Sequence, residues 1–171
     1  MKHNGLKNGL AIILMVMVVF LFSTTAFAAT GQYKTTQKFI EYLESSDIKY
    51  SYEGTLSGGN ECVSVSTKLD NFDSLECSLF FNEDCDMVSL RIWDIIKVSA
   101  GKNFALAAIN KLNSAYKFLK FVYDESDSTV GVEIDMYITP DFCQENIGKG
   151  MLAMFFVIDQ DENAKTLHSL E

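Results

Sequence analysis

Hydrophobic and polar positions along the chain follow two periods, and the switches between them mark the elements. From Thr35 to Ser46 the apolar residues Phe39, Ile40, Tyr42 and Leu43 gather on one side of a helical repeat. Lys38, Glu41 and Glu44 lie opposite, which predicts a helix ended by Ser45-Ser46-Asp47. Ile48 to Tyr52 alternates as a short strand, and Gly54 with Gly58-Gly59-Asn60 marks a loop. A period of two then takes over. Cys62 to Leu69 sets Val63, Val65, Thr67 and Leu69 against Ser64, Ser66 and Lys68. Leu75 to Phe81 sets Leu75, Cys77, Leu79 and Phe81 against Glu76 and Ser78, and Met87 to Ile96 sets Val88, Leu90 and Ile92 against Ser89, Arg91 and Trp93. Asp70-Asn71-Phe72-Asp73 and Asn82-Glu83-Asp84-Cys85-Asp86 are turn chemistry between them. One polar face per strand predicts an antiparallel meander covered on one side only.

Ser99 has the chemistry of an N-cap for a helix running to about Tyr116, with Ala105, Ile109 and Leu112 on its apolar stripe. Phe118 to Tyr123 and Thr129 to Ile138 form a second hairpin around Asp124-Glu125-Ser126-Asp127. Thr139-Pro140-Asp141 reads as a helix start, and a C-terminal helix is predicted from about Asn146 to Leu167 with Ile147, Met151, Phe155 and Ile158 inward. Gly148 and Gly150 weaken its first turn by ~1 kcal/mol each relative to alanine. The order helix, three or four strands, helix, two strands, helix predicts an α+β domain: an antiparallel sheet of about five strands with helices on one face.

The first residues follow neither period. Lys2 and Lys7 precede an unbroken apolar run of twelve, Ala11 to Phe22, and Ser23-Thr24-Thr25-Ala26-Phe27-Ala28 then turns small and polar. Basic start, short apolar middle and Ala-x-Ala end predict a secretory signal cleaved after Ala28. A retained anchor is the alternative, since Gly9 to Ala29 is 21 residues and a bilayer needs ~20. The two readings differ in whether the exported product begins at Ala29. Cleavage leaves a single domain of residues 29–171 and removes two lysines but no acid. The formal charge of −9 thereby becomes −11, from 12 bases and 23 acids. Such a chain is a poor partner for nucleic acid and touches a membrane only in transit through its signal.

Candidate chemistry is sparse. The four cysteines Cys62, Cys77, Cys85 and Cys143 contain no C-x-x-C pair, which argues against a zinc ribbon or a redox motif. They allow three complete pairings. Cys77 falls on an apolar strand face, while Cys62 and Cys85 lie at the same end of the meander, so a Cys62–Cys85 disulfide is one geometry the layout permits. His168, near the C-terminus, reads as a solvated tail residue. Asp159-Gln160-Asp161-Glu162-Asn163 opens like a calcium loop, yet Ala164 stands where glycine is needed and Leu170 where glutamate belongs. No catalytic residue, cofactor or metal ligand is predicted. Trp93, Phe80 and Tyr137 fall on the polar sides of their strands and are the candidate partner-binding surface.

Leu106-Ala107-Ala108-Ile109-Asn110-Lys111-Leu112-Asn113, followed by Phe118-Leu119-Lys120-Phe121, resembles the YbjN family, within the type III secretion chaperone-like fold. The strand Val130 to Met136 and a terminal helix rich in Met and Phe are similar too, and the likeness spans Phe39 to Ile158. It implies helices packed on one face of a twisted antiparallel sheet. Secretion chaperones of this fold bind unfolded segments of other proteins, commonly as dimers, and YbjN-like proteins are described as regulators with no established chemistry. This chain departs from them in carrying an export signal. The expected function is a non-enzymatic, extracytoplasmic protein- or peptide-binding module without cofactor, a homodimer being one state the resemblance allows. The alternative is a small-molecule sensor or a carboxylate-based hydrolase. Asn110 and Asn113 are expected to be structural, satisfying backbone groups at the helix end.

Overall fold

The computed structural model describes residues 31–139, 141 and 144–171. The predicted signal at 1–28, Pro140 and Cys143 lie outside them. The elements run α1 (Lys34–Ser45), β1 (Ser51–Thr55), β2 (Glu61–Thr67), β3 (Leu75–Phe81), β4 (Met87–Lys97), α2 (Lys102–Ala115), β5 (Lys120–Asp124), β6 (Thr129–Tyr137), α3 (Gln144–Asp159) and α4 (Asp161–His168). Six strands, one more than the sequence predicts, form one sheet in the order β1-β2-β3-β4-β6-β5. Every pairing is antiparallel, so the protein is an α+β fold.

Register decides which side chains share a face, because directly opposed residues point the same way. Val63, Leu79, Leu90 and Ile134 form one continuous row across four strands, and all are buried. The next row, on the other face, is Ser64, Ser78, Arg91 and Glu133. All three longer helices cover the apolar face. The Phe39 ring of α1 sits 5.6 Å from that of Phe81, and Gly150 of α3 rides over Leu90 and Met136. Tyr116, at the end of α2, packs its ring 6.5 Å from that of Phe121. No helix among the described residues is long and apolar enough to cross a membrane.

Where helices and strands differ from expectation, the cause is a polar contact between distant segments. Ser99 does not cap α2. Its N–H and that of Ala100 donate to the Leu170 carbonyl at 2.8 and 3.0 Å, so the C-terminus occupies that corner and Gly101, at φ 93°, turns the chain into the helix. The single long C-terminal helix is two helices, broken at Gln160, where ψ is 131°. Asn163 fixes the break: its buried amide donates to the Val157 carbonyl at 2.7 Å and to the Tyr116 hydroxyl at 2.7 Å. The calcium-like run is therefore a helix joint. Gly148 and Gly150 lie inside α3 rather than at its start, and a Cβ at Gly148 would sit 2.8 Å from the Tyr42 ring of α1.

Candidate functional site

A groove opens at one edge of the sheet because two ladders end at different places. β1 pairs with β2 from Thr55 opposite Glu61 only as far as Ser51 opposite Ser64. β3 continues alongside β2 to Leu75 opposite Thr67. Among the described residues, Val65, Ser66 and Thr67 thus have a strand on one side only, and alternate backbone groups there face the side that β1 has left. The chain diverges at 47–49, after Asp47 in left-handed conformation (φ 55°). The gap is a groove of about 820 Å³, with Ile48 and Lys49 on one bank and α3 on the other. Leu152 and Phe156, one helical turn apart on that bank, are 56% and 68% exposed. Two large apolar side chains left in water beside an unpaired strand end are an unusual protein surface.

The groove's rim is braced. Asp159, the last residue of α3, accepts the Asn71 N–H at 2.8 Å and the Asp70 N–H at 3.1 Å, while the Asn71 side-chain amide donates to the Asp159 carbonyl at 2.7 Å. His168 is exposed, as expected of a residue near the C-terminus, but it is held in place. Its ring stacks 4.9 Å from that of Phe72, and its two nitrogens lie 2.8 Å from a Glu171 carboxylate oxygen and 3.1 Å from the Asn71 carbonyl. The bond to Glu171 and then the one to Asn71 raise its pKa above the usual histidine value. Among the described residues, no histidine and no cysteine lines the groove. Three aspartates among the described residues, Asp47, Asp70 and Asp159, surround it against the one cation Lys49.

The aromatic residues singled out from the sequence share the opposite, open face but not one patch. Phe80 lies in the row with Ser89 and Asp135, Tyr137 in the row with Met87, and Trp93 beyond the Arg91 row. Arg91 stands between Phe80 and Trp93 with its guanidinium 2.7 Å from Asp135 and 3.5 Å from Glu133. Phe80 is half-buried, whereas Tyr137 is 90% exposed.

The Cys62–Cys85 bridge is absent; Cys62, Cys77 and Cys85 are free thiols. The buried Cys62 sulfur faces the Ser64 hydroxyl, while Cys85, in a left-handed turn (φ 57°), points its sulfur at the Glu83 carbonyl. Burial pushes the Cys62 thiol up and the Cys77 thiol up to about 12.

Asn113 acts away from its own helix end. It donates to the Phe121 carbonyl at 2.9 Å and accepts the Phe121 N–H at 2.7 Å, doing for the edge strand β5 what a further strand would do. Asn110 is exposed and makes no side-chain hydrogen bond among the described residues. Asn113→Ala should therefore lose about 2 kcal/mol, since the buried Phe121 backbone is left unpaired, while Asn110→Ala should change stability by under about 0.5 kcal/mol. Urea denaturation of the two variants side by side checks this.

Glu61, which the alternation of β2 does not single out, is the one charged residue buried among the described residues. It lies on the apolar face at the start of β2 with 0% exposure. Its carboxylate accepts the Gln32 N–H at 2.6 Å, the Tyr33 N–H at 2.9 Å and the Tyr52 hydroxyl. These amides immediately precede α1, which has no side-chain cap of its own. Glu61 thus supplies, from another element, the anion that a helix start favours. Burial raises its pKa, but the Tyr52 and backbone bonds outweigh that and hold it below the ordinary glutamate value.

Scanned against family models, the chain matches none. No curated protein matches its sequence.

Proposed function

We propose that the protein is an exported, non-enzymatic binding module of YbjN-like type, which holds an extended segment of another polypeptide in the groove between α3 and the free end of β2. The carrying observation is the juxtaposition of an unpaired strand end with the exposed pair Leu152 and Phe156. An extended segment offers both things this groove lacks: backbone partners for β2 and alternate apolar side chains to cover the helix. The excess of aspartate over lysine at the rim, and the formal charge of −9, favour a partner segment with basic residues. The aspartate whose oxygens both accept backbone N–H groups, Asp159, is occupied as a brace, which supports a binding role over carboxylate-based hydrolysis. The resemblance to secretion chaperones, which take unfolded segments, points the same way.

An array of short immobilised peptides of varied sequence, probed with the purified protein, tests this. Peptides alternating apolar with lysine or arginine should be retained. The double variant Leu152→Glu/Phe156→Glu should bind them roughly tenfold more weakly, or worse, with an unchanged circular dichroism spectrum. Equal binding of wild type and double variant, or retention of no peptide at all, defeats the proposal.

A further inference from the structure

A second hollow, of about 230 Å³, lies on the open face at the far edge of the sheet, remote in sequence from every groove residue. It is built by a bulge. The β4–β6 register shifts between Ile92 and Ile96, and Asp94 adopts φ 51°, a left-handed conformation that a non-glycine residue rarely takes. Trp93, 54% exposed on the open face, lines the hollow with Gly131 of β6 and Val122 of β5. The missing side chain at 131 provides the floor: a Cβ there would lie 2.8 Å from the Ile92 carbonyl oxygen and 3.7 Å from the Trp93 Cα. Four carboxylates, Asp94, Asp124, Glu125 and Glu133, line the rim. Glu125 is taken by Lys102 at 2.5 Å, and Glu133 has Arg91 at 3.5 Å. Asp124 accepts the Ser126 hydroxyl at 2.6 Å and N–H at 2.8 Å, and these bonds keep it an anion. Asp94 has no cation partner among the described residues.

We infer that this hollow is a binding site for the guanidinium group of an arginine presented by a partner protein. An indole face attracts a cation placed over it, and a planar guanidinium stacks there while its edge N–H groups reach carboxylates. A neutral apolar ligand would leave Asp94 and Asp124 unanswered, and a compact ammonium would use the indole less well. The site stands apart from the peptide groove and does not depend on it.

Trp93 is the chain's single tryptophan, so fluorescence excited selectively at the red edge, beyond tyrosine absorption, reports on this place alone. Titration with N-acetyl-arginine methylamide at low salt should give a saturable change. The lysine analogue should respond several-fold more weakly, and the neutral citrulline analogue not at all. Asp94→Asn should weaken the arginine response several-fold. Asparagine tolerates the left-handed backbone, so the fold is kept, which a matching far-ultraviolet spectrum verifies. Leu152→Glu/Phe156→Glu should leave the response unchanged, and failure here is therefore separate from failure of the groove. An absent response, a citrulline response equal to that of arginine, or lysine binding as tightly as arginine would each overturn the inference.

Discussion

Glu61→Ala should cost about 3 kcal/mol of folding stability, the largest single-residue loss outside the apolar core. The substitution strands three donors that converge on one carboxylate: the Gln32 and Tyr33 amides and the Tyr52 hydroxyl. Each buried donor left without a partner costs ~1–3 kcal/mol, and Gln32, at the surface, regains water. Glu61→Gln keeps one acceptor oxygen but turns an amide N–H₂ toward a donor, so it should lose roughly half as much. The pH dependence has a fixed sign. The carboxyl titrates lower in the folded chain than its ordinary value of 4.5, so its contribution is complete above that pH and disappears as the pH falls through the folded value. Wild type should therefore lose stability more steeply than Glu61→Gln in acid below about pH 4.5. Denaturant titrations across that range measure the difference, and parallel curves would contradict the role assigned to this anion. Tyr52 reports from the other side. Burial first, then its bond to Glu61, pushes it up to about 12, so its hydroxyl remains a donor through the alkaline range.

The strands were legible because nothing competes with their alternation. Val63, Leu79, Leu90 and Ile134 meet in one row, and each sits at an apolar step of its own period-two pattern. Glu61 was legible in principle: it has the parity of Val63 and Val65, so a strand begun one residue earlier places a carboxylate on the covered face. What defeated the sequence reading were contacts between segments far apart. The Leu170 carbonyl displaces Ser99 from its capping role, and Asn163 breaks what periodicity joins. Aromatic side chains on the polar parity identified the open face. Parity says nothing of spacing along a strand, however, and Arg91 stands between Phe80 and Trp93. The groove was invisible for a related reason. It depends on β1 ending at Ser51 while β3 runs on to Leu75, and the relative length of neighbours in a sheet is a property of pairing rather than of either strand.

Gly131→Val should cost about 2–3 kcal/mol, more than an exposed-face strand position ordinarily would. Valine is a favourable strand residue, and on the open face of an interior strand such as β6 it would be expected to help. Here the atoms it meets are backbone. The Ile92 carbonyl oxygen lies 2.8 Å from the place of the new Cβ, so β4 must move away from β6 at the very point where their register shifts. Ile92 is the last residue in register with β6 before the bulge, and displacing it disturbs the stretch that holds Asp94 at φ 51° and Trp93 in solvent. Gly131→Ala carries the same Cβ without the branches and should fall between wild type and valine. Stability and tryptophan fluorescence should thus change together in rank order glycine, alanine, valine. A valine variant as stable as wild type would mean that the two strands do not meet as closely as the backbone of Gly131 requires.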